Sequence, residues 1–262
     1  MRGLVPILLA VGVHWATGGA ASGGPSDAPD SIATSRGDMV RAGSAALRPR
    51  LLAPGTHTIR SYKLEAGVET PVSRTTQTVE VAELGEDEVY RVRTVHASAS
   101  DTTSTLTIVR RRDLALLRQD VRASRDSATV TVDDLHLTGW SVLPNKPVRQ
   151  LDRRLARPVL PLEGQLPWLL GLLPLRDGYV GAIEQFSPWE GEEVWRRIEV
   201  LGSERVRIGE SDVDCWLVDA GPLGPPGYRA TRWIDKRSRR VLQTVLRGEP
   251  GLPEYWSLTV PP

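Results

Sequence analysis

The chain has 262 residues and a formal net charge of +1 at pH 7, with 33 Lys and Arg residues against 32 Asp and Glu residues. Nucleic-acid-binding domains usually have a basic excess, so this balance argues against a nucleic-acid partner. The single cysteine, Cys215, excludes an internal disulfide, so stability must come from a hydrophobic core, which a chain of this length has enough residues to form.

The first residues have the layout of a secretory signal peptide. Arg2 precedes an apolar run over residues 4–13, and small residues follow from 17 to 22. This three-part pattern predicts a signal peptide over residues 1–21, because its apolar run is shorter than the roughly 20 residues of a membrane-spanning helix. We therefore expect an exported protein, periplasmic or extracellular, that is soluble after cleavage and has no transmembrane segment in the mature chain.

The rest of the chain divides into a leader and one domain. Residues 22–50 are rich in Gly, Ala, Ser, Pro and Asp, which predicts a flexible leader with a short helix near 38–47. Residues 51–262 are predicted to form a single β-rich domain. Short segments rich in Thr, Val, Ile, Tyr and Trp alternate there with turn signals at roughly 8–12-residue intervals, which predicts an antiparallel meander. The predicted strands are 56–65, 72–83, 88–97, 103–111, 114–123, 127–133, 136–143, 178–186, 193–202, 204–209, 213–219, 228–235, 239–247 and 254–260.

One segment departs from the strand pattern. Between residues 160 and 175 leucines fill nearly every position, Pro167 suits a first helical turn, and Gly171 only weakens a helix. We predict one short apolar helix over 163–173. A helix that is apolar nearly all round is buried on more than one side or covers an apolar groove. The predicted fold is therefore mainly β, with a curved antiparallel sheet forming an incomplete barrel that this helix covers or plugs.

The sequence lacks the patterns of metal, nucleotide and nucleophile sites. His57, His96 and His136 lie on separate predicted strands, and none has a second ligand at metal-binding spacing. No nucleophile elbow, phosphate-binding loop or dinucleotide fingerprint is present. We expect a protein that is not an enzyme and holds no metal or cofactor.

Carboxylates and the cysteine have structural interpretations. Acidic clusters at 86–88, 133–134, 190–193 and 212–214 fall at predicted strand ends, where carboxylates bond to the turn backbone. A carboxylate pair could also hydrolyse glycosides, which remains an alternative. Cys215 lies inside an apolar strand pattern and is expected to be a buried, unreactive thiol.

Five stretches of the sequence carry a resemblance to a known family. They are residues 52–58 (LAPGTHT), 75–80 (TTQTVE), 172–179 (LLPLRDGY), 214–218 (DCWLV) and 232–236 (RWIDK). Together they resemble bacterial exported proteins of unknown function, whose fold is similar to that of the periplasmic lipoprotein carriers and their outer-membrane receptor. The resemblance implies a strongly curved, incomplete antiparallel barrel that wraps a helix or lid. In the carriers the concave face accepts acyl chains, and no catalytic residue can be carried over.

The predicted helix supplies the candidate binding residues, Trp168, Leu169, Leu172 and Leu173. The leading hypothesis is a non-enzymatic envelope protein that binds or carries an apolar or amphipathic ligand, such as a lipid or lipoprotein acyl chain. One alternative is an envelope scaffold or interaction module with a filled interior, and another is a carboxylate-dependent hydrolase of cell-wall or glycan material. An apolar cavity favours the ligand-binding protein. A filled interior with an exposed apolar patch favours the scaffold, and two carboxylates that converge in a cleft favour the hydrolase.

Overall fold

The computed structural model describes residues 37–162, 166–222, 228–249 and 252–260, so the predicted signal peptide lies outside the described residues. Within these ranges, sixteen strands form one sheet that does not close into a barrel. The strands are β1 (Asp38–Val40), β2 (Gly55–Glu65), β3 (Val68–Leu84), β4 (Asp87–Ser98), β5 (Thr102–Arg110), β6 (Leu116–Arg122), β7 (Ser127–Asp133), β8 (His136–Val142), β9 (Arg149–Arg154), β10 (Leu160–Pro161), β11 (Val180–Ser187), β12 (Glu192–Ile208), β13 (Ser211–Pro222), β14 (Arg229–Asp235), β15 (Val241–Arg247) and β16 (Glu254–Val260).

Two antiparallel meanders make up the sheet. Consecutive strands pair from β2 to β9 and from β11 to β16, and β16 pairs with β2 to join the two halves. In the middle of β4 the burial alternates, since Tyr90 and Val92 are buried whereas Arg91 and Arg93 are exposed. The predicted strands 193–202 and 204–209 form one strand, β12, with a bulge between Val200 and Gly202.

The sheet curves strongly around its core. The Leu116 amide of β6 donates to the Val159 carbonyl at 2.8 Å, and the next residue, Leu160 on β10, pairs with β11. Ten strand intervals separate β6 from β11 in the sheet order, and neighbouring strands lie about 4.8 Å apart, so a flat sheet would hold these two strands almost 50 Å apart. The mainly β, incomplete-barrel fold predicted from the sequence is confirmed.

One short apolar helix, α1 (Leu166–Gly171), lies in the concave side, hereafter the inner face. The predicted residues 163–165 lie outside the described chain, and the helix ends earlier than predicted. A tighter turn follows it, in which the Leu172 and Leu173 amides donate to the Leu169 and Leu170 carbonyls at 3.0 and 3.2 Å.

Residues 37–50 differ from the predicted flexible leader. β1 pairs in parallel with β11, Val40 is fully buried, and no helix forms near 38–47. The Arg48 amide donates to the Leu172 carbonyl at 2.9 Å, which ties this segment to the end of α1. Isolated apolar residues such as Val40 and Leu47 give no local periodicity, yet they fill the core once the sheet edge is in place. The remaining leader residues, 22–36, lie outside the described residues.

Candidate functional site

A groove lies between α1 and the inner face of β2, β3, β15 and β16. Its cavity volume is about 60 Å³. Apolar and aromatic side chains from both layers form its walls. Ser238, Arg239, Arg240 and the nearby His57 also line it, and this part is hereafter called its polar end. The lining residues are Leu51, Leu52, Ala53, His57, Ile59, Gln77, Val79, Pro167, Trp168, Leu172, Ser238, Arg239, Arg240, Val241 and Thr259.

Two of the four predicted binding residues line this groove. Trp168 and Leu172 are four residues apart, and this spacing places them on the same side of a helical segment. Leu169 and Leu173 are not among the lining residues and are fully buried in the main core. Trp168 and Leu172 belong to the same buried cluster, so they both pack in the core and border the groove.

The polar end of the groove was not predicted from the sequence. Arg239 is half-buried, its guanidinium lies 4.4 Å from the centre of the Trp216 ring, and its Nη1 is buried without a hydrogen-bond partner. Burial, followed by the charge of Arg48, lowers the pKa of Arg239. Burial, followed by the charge of Arg240, lowers the pKa of His57, so the imidazole is neutral at pH 7.

The sequence signal for this end was the gap between the predicted strands 228–235 and 239–247, where the structure contains a turn between β14 and β15. The turn is held by the Asp235 carboxylate, which accepts from the Arg237 amide at 2.9 Å and the Ser238 amide at 3.1 Å. A run of arginines beside a turn is ordinarily solvated, and only the approach of α1 makes Arg239 part of a groove.

The acidic clusters engage arginines. In each of the four clusters, at least one carboxylate forms an ion pair with an arginine side chain. These pairs are Asp87–Arg110, Asp134–Arg154, Glu193–Arg153 and Asp214–Arg205.

The part of the chain that the structure describes contains no group of three metal-binding side chains. No helix within it is long and apolar enough to span a membrane.

Cys215 lies on β13 and is fully buried beside Trp233 and Val245 on the other face of the sheet. Burial, followed by the negative charge of Asp235, raises the pKa of the thiol to about 11.

We expect Cys215 in the native protein at pH 8 to react slowly with an aromatic disulfide reagent, because the thiolate is both scarce and inaccessible. The release of the coloured thiol should become fast and stoichiometric in denaturant. Equal rates in the two conditions would contradict this assignment.

Comparisons with known proteins give distant structural similarities only. No family model and no curated protein matches the chain. It is similar to the hypothetical lipoprotein YmcC from Escherichia coli (K12), with 13% identity and a TM-score of 0.28 over 78% of this chain and 87% of that chain. It is also similar to a DUF1329 family protein from Desulfovibrio piger, with 11% identity and a TM-score of 0.23 over 80% and 85% of the two chains. Neither similarity transfers a function or a site residue.

Proposed function

We propose that this chain is a non-enzymatic protein of the bacterial cell envelope that binds an apolar or amphipathic ligand, such as a lipid or acyl chain, in the groove between α1 and the inner face. The observation that carries the proposal is the groove itself, in which Trp168 and Leu172 face Ile59, Val79 and Val241. Each methylene that such walls remove from water contributes about 0.8 kcal/mol. Export is part of the proposal and rests on the signal-peptide pattern of residues 1–21.

The size of the groove sets how such a ligand binds. Pockets for drug-sized ligands usually measure about 300–1,000 Å³, and this cavity measures about 60 Å³. It therefore admits the end of a chain, and a longer chain binds only if the Trp168 and Leu172 side chains shift outward. Trp168 and Leu172 belong to the same buried core cluster as Leu169 and Leu173, so this widening requires part of the core to repack.

A scaffold with a filled interior is the second candidate, because most of the space beneath α1 is packed. Leu169, Leu170 and Leu173 have no exposed surface. A second apolar cluster lies on the other face of the sheet, where the half-buried Leu242 and Trp256 offer a surface for a partner. The hydrolase alternative has no supporting observation, because each acidic cluster engages an arginine.

Neighbouring residues on β15 provide a matched test of the groove. Val241 lines the groove, whereas Leu242 packs against the cluster on the other face, and both are half-buried. Val241→Phe should fill the groove and weaken the binding of a fluorescent fatty acid by about tenfold or more, equivalent to about 1.4 kcal/mol. Leu242→Phe should bind like the parent protein. Binding is measured by titration, with tryptophan emission as a second signal.

Thermal melts of both variants establish that they are folded before binding is compared. If the parent protein shows no saturable binding, or if the folded Val241→Phe variant binds as tightly as the parent, the groove does not bind ligand. The scaffold would then be the better description. An equal loss in both variants would locate the effect outside the groove and would also overturn the proposal.

A further inference from the structure

The polar end of the groove carries positive charge. Arg239 and Arg240 both line the groove, and Arg48 lies close enough to Arg239 to lower its pKa. His57 is neutral at pH 7 and contributes hydrogen-bonding groups rather than charge. The Arg48 amide bonds to the Leu172 carbonyl, so this cationic end adjoins the apolar walls directly.

Some arginines of the protein are neutralised by carboxylates, as Arg110 and Arg153 are, each at 3.0 Å. Among the described residues, neither Arg239 nor Arg240 forms an ion pair. The nearby Asp235 carboxylate is engaged by the amides of its own turn.

Two contacts fix the position of Arg239. Its guanidinium stacks on Trp216, and its backbone carbonyl packs against Gly171 at the end of α1. A buried nitrogen–hydrogen group without an acceptor destabilises a fold, and the cost is larger when the group is charged. A negatively charged ligand group beside Nη1 would remove that cost.

We infer that the ligand bound in this groove has an acidic head group, a carboxylate or a phosphate, that Arg239 and Arg240 hold while its apolar chain enters between Trp168 and Val241. The inference rests on the proposed function and specifies its ligand. Bidentate hydrogen bonds from a guanidinium suit both head groups. An uncharged lipid of the same chain length lacks this interaction and binds through its apolar part alone.

The test compares decanoate, decyl phosphate and 1-decanol as competitors of a fluorescent fatty acid. The parent protein should bind both acidic compounds about tenfold or more tightly than decanol. The double variant Arg239→Gln, Arg240→Gln should lose this preference, so that it binds the acidic compounds no more tightly than decanol. Arg237→Gln is the matched control, because Arg237 lies in the same turn, is exposed and does not line the groove.

The possible outcomes distinguish a failure of the head-group inference from a failure of the proposed function. Equal affinities of the parent protein for all three compounds would overturn the head-group inference and leave the groove as an apolar binding site. An equal loss of acid binding in Arg237→Gln would also overturn it, since net charge would then explain the preference. If the parent protein binds none of the three compounds, the proposed function itself is wrong. Tighter binding of decanoate indicates a fatty acid as the source of the head group, and tighter binding of decyl phosphate indicates a phospholipid. Either result supports the inference.

Discussion

A chain that ends before Tyr228 is expected not to fold. This truncation removes β14, β15 and β16, and β16 is the strand that joins the two meanders by pairing with both β15 and β2. Without these strands, the facing edges of β13 and β2 have no partners. The sheet then consists of two separate pieces with exposed backbone edges.

The energetic loss exceeds the stability of an ordinary domain. Ile234 and Val245 are fully buried, and Leu246 and Tyr255 are nearly so. Loss of a single large core side chain costs about 2–5 kcal/mol, whereas a whole domain is stable by about 5–15 kcal/mol. Circular dichroism and thermal melting of the truncated chain should show no cooperative transition. A soluble truncated chain with a cooperative melt would contradict this prediction, because the domain would then end before β14.

Gly171→Ala is expected to destabilise the protein, although alanine favours helices. Gly171 ends α1, and a β-carbon there would overlap the carbonyl oxygen of Arg239 and come within 3.1 Å of its carbon. Both atoms are backbone, so they cannot rotate away as a side chain could. Either α1 or the β14–β15 turn must move, and overpacking of this kind costs about 1–3 kcal/mol.

Whether Gly171→Ala lowers or raises the stability of the protein distinguishes the packing effect from helix propensity. Helix propensity alone predicts that alanine stabilises this position by about 1 kcal/mol relative to glycine. Urea unfolding of the variant should give a lower midpoint than the parent protein. Gly67→Ala is the comparison, because nothing lies within 4 Å of a β-carbon there and only its positive φ of 80° opposes the change. A raised midpoint for Gly171→Ala would show that α1 is not held against the turn.

Local patterns were enough to predict most strands. The composition of each strand and the turn signals between strands involve residues close in sequence, and strand geometry converts them directly into faces and hairpins. β9 escaped prediction because Leu151 is the single apolar residue among the six in Arg149–Arg154. It lies at the end of the sheet, where a charged strand is tolerated on its exposed edge.

Other features depended on residues far apart in sequence. The hydroxyls of Ser61 and Ser257 lie 2.9 Å apart across the β2–β16 pair, although 196 positions separate them. Arg232 stands in a predicted strand where an arginine would ordinarily reach water, yet it is 1% exposed. Burial, followed by the charge of Arg196, lowers its pKa to about 10. Nothing in the local sequence indicates which of these contacts the folded sheet makes.

The candidate site shows the same division. The absence of β-branched residues and the density of leucine in 163–173 indicated an apolar helix, and Trp168 and Leu172 do line a groove. The assignment of Leu169 and Leu173 to the core, and of Arg239 to the groove, required the tertiary structure. A sequence pattern shows the periodicity of one element, whereas a groove forms between two elements. Which residues line the groove depends on the curvature of the sheet and on the packing of α1 against it.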